Sequence, residues 1–397
     1  MIIENGVVIK ITDADVAFDM QREGYGVLNL PDEATVLKAD VTGISPSMRS
    51  NIKELRGKNI QYIEAFTDHC GEKSSLTPTF PALELFDMPS LKEIPKEAFV
   101  QHNMLKKVDL PSVKYVREMA FEDSSIETVI LPEAVTIYES AFNFSDISSI
   151  YADKVEIIEE RAFDECKKLD KLHMLNVRLI GKYAFQNCNK LRLIYFAKVT
   201  NIDDAAFMGC KSLEEANLPS VQSIGEYAFS NCKKLSRVHL GDDLKAIQYM
   251  AFYSCAITNL KIGKAAIVEA EAFENIQKDV DVYCDVPEQI DGAFGFFPNG
   301  RKVKNVYFAK KYTERQKLPF LTSNECSYLV FPNKRMRALS VNTSQVFEVE
   351  QEISCIDGKT LWILRNGCYA VKETYGKVIK YCSGKEELEK ALNAPPF

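Results

Sequence analysis

The sequence predicts a repeat solenoid of parallel β-strands, about ten units of 21–23 residues, followed by a small β-rich C-terminal domain. Three observations carry this. The dipeptide Ala-Phe recurs, with Phe at 66, 99, 121, 142, 163, 185, 207, 229, 252, 273 and 294, and every interval after Phe99 is 21, 22 or 23 residues. Isoleucine or valine stands five residues before most of them, as at Ile94, Val116, Ile137, Ile158, Ile180, Ile202, Ile224, Ile247 and Val268. A leucine-led segment follows in phase, seen in Leu105, Val108, Leu110 and again in Leu235, Val238, Leu240.

Each element follows from these positions. Alternation in the second half of the leucine-led segment turns Val108 and Leu110 inward and Lys107 and Asp109 outward, which is a half-buried strand. Proline at 89, 111, 132 and 219 removes a ladder donor and ends that strand. Ala-Phe sets a small residue beside a large inward wedge, and one unit alone has too little apolar area to fold, so units must stack with strands about 4.8 Å apart. Residues 1–60 read as an N-terminal capping region with a degenerate strand-and-proline unit at Gly26–Pro31. The solenoid spans 61–310, with an insertion around Gly71–Thr79 and a last rung at Val306–Phe308. In 311–397 strands are expected at 328–331, 346–353 and 360–364, then a hairpin of 369–373 with 378–382 and a short helix over 384–393.

Composition excludes several classes. The chain of 397 residues is 46% hydrophobic and 26% charged, as in a folded globular protein. Its net charge of −7 argues against nucleic acid as a partner. No apolar run approaches a membrane span, so no integral membrane segment is expected. The first 20 residues, interrupted by Glu4, Lys10, Asp13 and Asp15, do not read as a signal peptide, so the expectation is that the chain either stays in the cytoplasm or has had a leader removed before this numbering. Eleven cysteines are too few for a disulfide scaffold of this length.

The unit Ile224-Gly225 … Ala228-Phe229-Ser-Asn-Cys232-Lys-Lys-Leu235, repeated as Ile180-Gly181 … Ala184-Phe185-Gln-Asn-Cys188, resembles the BspA-type leucine-rich repeats, clearly from about 83 to 294. The resemblance implies a non-catalytic surface or secreted protein of the adhesion type, with no catalytic residues to carry over.

Cys166, Cys188, Cys210, Cys232 and Cys255 each stand three residues after the repeated Phe. Zinc needs compact pairs converging on one point, whereas these spacings make a ladder. A structural role is therefore expected, as small semi-buried side chains with S–H near a backbone carbonyl. No metal or other cofactor is expected. His173 and His239 lie three rungs apart, about 14 Å at the strand spacing, too far for a shared metal or relay. With no zinc-protease, nucleophile-elbow or phosphate-loop motif, the chain is not expected to be an enzyme.

The outward strand positions are the candidate ligand-binding residues. One column holds Asp109, Ile130, Tyr151, His173, Tyr195, Asn217, His239, Lys261, Tyr283 and Tyr307. The neighbouring column runs Lys107, Thr128, Ser149, Lys171, Leu193, Glu215, Arg237 and on to Asn305. A sheet needs no exposed tyrosines to fold, and tyrosine offers large contact area at low entropy cost together with a hydroxyl. The candidate strip is Tyr151, His173, Leu193, Tyr195, Arg237, His239, Tyr283 and Tyr307, with Tyr195 flanked by Leu193 and Arg237. The competing explanation is cross-strand stabilisation of the sheet itself. Asn143-Phe144-Ser145 and Asn342-Thr343-Ser344 match the glycosylation sequon, and the basic run from Lys310 to Arg337 reads as solvated surface. The function expected is non-catalytic binding or adhesion to a protein or glycan. The alternative is an architectural spacer whose recognition resides in 311–397.

Overall fold

The computed structural model describes residues 1–4, 7–18, 26–43, 50–63, 66–67, 73–74, 80–262, 266–269, 271–278 and 280–284, and beyond these the strands 303–308, 326–330, 336–340, 345–354, 359–364, 369–373 and 379–382. It divides into two compact units, Met1–Leu213 and Glu214–Phe397.

In the first unit each repeat gives one longer and one shorter strand. The longer strands Lys107–Asp109, Thr128–Ile130, Ser149–Tyr151 and Lys171–His173 form a parallel major sheet, with Val108, Val129, Ile150 and Leu172 in register. The two-residue strands Glu93–Ile94, Tyr115–Val116, Thr136–Ile137, Ile157–Ile158, Leu179–Ile180 and Asn201–Ile202 form a parallel minor sheet. Both start from the alternation expected: Val108 and Ile94 are buried while Lys107, Asp109 and Tyr115 face solvent.

The strand-and-proline unit at Gly26–Pro31 is itself a rung, because Gly26–Asn29 pairs in parallel with Ile52–Arg56, and that strand with Leu85–Asp87. Leu28, Leu55 and Phe86 line its inner side. The sheets end on antiparallel strands, Val16–Phe18 against Gly26–Asn29 and Ile2–Glu4 against Val7–Thr12. Reversing strand direction there covers an edge that would otherwise template further pairing. In the insertion, Phe66–Thr67 pairs antiparallel with Lys73–Ser74.

Between the two sheets runs the Ala-Phe turn, which sequence reading places but does not describe. Residues two before and two after the phenylalanine are left-handed, for example Glu97 and Gln101 (φ 57° and 56°) and Tyr183 and Asn187 (both 56°). Few of these are glycine, so the conformation costs free energy at each turn. The offset is a hydrogen-bond ladder. Left-handed residues alternating along the chain aim successive N–H groups the same way, so Glu97, Phe99 and Gln101 donate to the carbonyls of Glu118, Ala120 and Glu122 at 3.0, 2.7 and 2.8 Å.

The core is a column of phenyl rings. Phe99, Phe121, Phe142, Phe163, Phe185 and Phe207 stack with centroids 5.0–5.1 Å apart and planes within 10°. In the second unit Phe229, Phe252 and Phe273 do the same at 5.1 and 5.2 Å. Phe80, which lacks the preceding alanine and so escapes the repeat pattern, is also fully buried.

In the second unit the strands Glu215–Leu218, Arg237–Leu240, Asn259–Lys261, Val280–Cys284 and Val303–Phe308 pair in parallel. One more parallel strand, Cys326–Val330, follows the rung expected to be last. An antiparallel meander then runs through Met336–Ser340, Gln345–Ser354, Lys359–Leu364, Tyr369–Glu373 and Ile379–Cys382, including the expected hairpin. The helix expected over 384–393 lies outside the described residues, as does most of the basic run between Lys310 and Arg337.

Candidate functional site: the outward face of the major sheet

Tyr151 and His173 occupy the same position on adjacent strands, in register. Their rings stack at 4.5 Å with 11° between planes. Leu193 and Tyr195 flank buried Ile194 on the next strand and are 60% and 57% exposed. The four-stranded sheet ends at Lys171–His173, and no ladder joins it to Leu193–Tyr195 among the described residues. At this place Phe196 fills an inward position held in other repeats by Leu, Ala, Met or Ile, tilted against both Phe185 and Phe207 at 6.4 Å. Leu175 stands where other repeats have Pro111, Pro132, Asp153, Ala197, Pro219 or Gly241, and it is 55% exposed. Column counting missed Leu175, although its replacement of the strand-closing Pro111 and Pro132 is readable in the alignment of repeats.

The outward columns are not uniformly open. Ser149 is an exception to the expected exposure: it is buried and hydrogen-bonded to Thr128 Oγ1 at 3.2 Å. In the second unit, Arg237 and His239 point outward from one strand toward a shared carboxylate, Glu215, at 2.7 and 3.7 Å. Arg237 is thus engaged in an ion pair rather than held ready for a ligand. Tyr283 is in register with Lys261 and with Tyr307, but the tyrosine side chains lie outside what is described.

The cysteines are inside. Cys166, Cys188, Cys210, Cys232 and Cys255 are all buried and none is disulfide-bonded. The thiol of Cys166 donates to the carbonyl of Phe142 at 2.9 Å, Cys188 to Phe163 at 3.2 Å, Cys210 to Phe185 at 3.1 Å and Cys255 to Phe229 at 3.2 Å. Each of those carbonyls also accepts the N–H three residues on, from Ser145, Cys166, Cys188 and Cys232 respectively. A buried carbonyl has two lone pairs, and the thiol occupies the second. His102 takes the cysteine position three rungs before Cys166: its Nε2 lies 3.2 Å from the carbonyl of Phe80, and Nδ1 accepts the Leu105 N–H. Burial lowers the His102 pKa, so it stays neutral. Burial likewise pushes the Cys166 thiol up to about 12 and raises Cys188 and Cys255. Thiolate is the reactive form. Alkylation of the native chain at pH 8, mapped by mass spectrometry, should therefore leave these five unlabelled until denaturant is added; rapid native labelling would contradict the buried ladder.

Among the described residues three buried side-chain oxygens have no hydrogen-bond partner, Asn143 Oδ1 and Asp164 Oδ1 on successive rungs and Asn189 Oδ1. The sequon asparagine Asn143 is only 7% exposed, with its Nδ2 on Glu122 at 3.2 Å, so it offers no glycosylation site; Asn342 lies outside the described residues. Burial, reinforced by Glu165 and opposed by Arg161, raises the Asp164 carboxyl to about 6. A raised carboxyl pKa means the folded state binds the proton more tightly than the unfolded chain, so stability falls as pH rises from about 4 to about 6. Asp164→Asn should flatten that slope and raise the urea midpoint at pH 7.5 above wild type. A lower midpoint at pH 7.5 would refute the burden assigned to the ionised carboxylate.

Among the described residues no group of three or more His, Cys, Asp or Glu could hold a metal ion, and no helix is long and apolar enough to cross a membrane. The model of the BspA type leucine rich repeat region, in six copies, matches residues 80–192 and 200–326. The chain belongs to this family, and with it to the non-catalytic repeat proteins of the binding and adhesion type. No curated protein matches the chain. Among solved structures it is similar to a leucine rich cell surface protein from Faecalibacterium prausnitzii, at 17% identity over 76% of this chain and 88% of that one, TM-score 0.34. It is similar to the pneumococcal vaccine antigen PcpA at 12% identity, 78% and 91% coverage and TM-score 0.33. The functional domain of InlJ from Listeria monocytogenes, which includes a cysteine ladder, aligns at 12% identity, 88% and 84% coverage and TM-score 0.30.

Proposed function

We propose that the chain is a surface or secreted binding protein that presents the outward face of its major sheet to a protein or glycan. In this reading 1–60 cap the solenoid of 61–310, and 311–397 form a separate terminal domain. The contact strip comprises Tyr151, His173, Leu193 and Tyr195, all in the first unit.

The observation that carries the proposal is the exposure of Leu193 and Tyr195, each more than half open to solvent beside an interrupted ladder. Sheet stabilisation alone accounts for Tyr151 against His173, which bury a face on each other, but not for two large side chains left open on one strand. The full chain should bind a component of a glycan and extracellular-matrix array. Tyr151→Ser combined with Tyr195→Ser should abolish that binding without altering the far-ultraviolet spectrum. Binding that survives both substitutions would transfer recognition to 311–397 and reduce the repeats to a spacer.

A further inference from the structure

Charge is unevenly spread along the first unit. From Lys167 to Asn201 the sequence carries eight lysines and arginines and a single carboxylate, Asp170, within a chain of net charge −7. Half of these cations are used internally: Lys167, Lys168, Arg178 and Lys182 reach Glu165, Asp146, Glu156 and Asp204 at 2.9, 2.9, 3.7 and 2.8 Å. Lys171, Lys190 and Lys198 are exposed, and among the described residues none of them has a carboxylate partner. Lys198 donates to Asn176 Oδ1 instead. Their positions matter. Lys171 shares the strand of His173, Lys190 lies in the turn entering Leu193–Tyr195, and Lys198 follows that strand.

We infer that the ligand of this surface is an anionic polysaccharide, bearing sulfate or carboxylate groups, that runs along the stacking direction across Tyr151, His173 and Tyr195. The inference rests on the reading of the strip as a contact surface. Three successive repeats each carry one exposed ring at the same strand position, Tyr151 stacked on His173 at 4.5 Å and Tyr195 57% open on the following strand. A linear polysaccharide is likewise periodic, with an apolar sugar face on each residue to lie against a ring and hydroxyls for the tyrosine. Lysines beside the rings are strongly hydrated point charges on flexible stems, suited to anionic groups spread along a chain. An acidic peptide fits less well. Extended peptides gain affinity by adding a strand to a sheet edge, and the strands of Tyr151 and His173 lie face-on, with their backbones bonded into the ladder.

The test is titration of the full-length chain with dextran sulfate, unsulfated dextran and polyglutamate. Dextran sulfate should bind and dextran should not. Replacing Lys171, Lys190 and Lys198 together by Gln, or making Tyr195→Ser alone, should each weaken binding by about tenfold or more. Lys106→Gln, Lys107→Gln and Lys114→Gln together, placed earlier in the unit, should change it by less than about twofold. Equal binding of polyglutamate would assign the surface to an acidic polypeptide instead. Loss in the lysine variant with none in Tyr195→Ser would reduce the effect to bulk charge, and both results overturn the inference. If dextran sulfate fails to bind while Tyr151→Ser with Tyr195→Ser still abolishes capture of an array ligand, the anionic glycan is wrong and the strip stands.

Discussion

Phe185→Ala is expected to lower the stability of the protein by about 3–5 kcal/mol, read from the urea midpoint. The ring is fully buried, stacks at 5.1 Å on Phe163 and on Phe207, and meets Phe196 at 6.4 Å. Truncation removes the apolar area of a phenyl ring and leaves a cavity whose walls are themselves large rings held by the turn ladder. Those walls cannot close in, because the Phe163 and Phe185 N–H groups are tied to the carbonyls of Ala184 and Ala206 at 2.7 Å each. Repeat arrays lose stability locally, through one unit and its neighbours, so a shallower transition should accompany the lower midpoint. A loss near 1 kcal/mol would mean that the phenyl column is not what holds the rungs together.

The second large effect is expected in the other unit. Gly241 follows Leu240 as Pro219 follows Leu218, with Leu218 and Leu240 paired in register. A Cβ at Gly241 would lie 1.7 Å from the carbonyl oxygen of Pro219 and 2.7 Å from its carbon. Because the obstacle is backbone, in the turn that closes Glu215–Leu218, no rotamer change relieves it, and the rung must shift. Gly241→Ala should therefore cost about 3 kcal/mol or more, at or above the upper end for overpacking, measured as a loss of the denaturation midpoint. Unchanged stability would show that the turn there can move away freely. The extra residue in the interval from Phe229 to Phe252 and the Gly-Asp-Asp turn were legible; that the glycine is required by the carbonyl above it was not.

Much of the solenoid was legible because its period is one of side-chain burial. Isoleucine at 94, 137 and 158, the Ala-Phe pair and the leucines must recur wherever identical rungs stack, so a list of intervals reveals the column. Phe80 shows where that fails. It is buried, and its carbonyl is bonded by His102 as Phe142's is by Cys166, yet the insertion before it and the missing alanine take it out of phase. The left-handed pairs were hidden for a different reason. Backbone angles near +55° are ordinarily signalled by glycine, but Tyr183, Met119 and Arg161 adopt them because bonds to the next rung hold them there.

The candidate surface divides the same way. Alternation along the strand was enough to turn Tyr151, His173, Leu193 and Tyr195 outward. The stacking of Tyr151 on His173, the ion pairing of Arg237 with Glu215 and the burial of Ser149 depend on neighbours twenty-odd residues away. By itself, the sequence determined the repeat, its family and which face of each strand meets solvent, since these depend on spacing along one chain. Tertiary structure alone decided which outward side chains are spent on one another and which stay open, because that is set by distances between rungs.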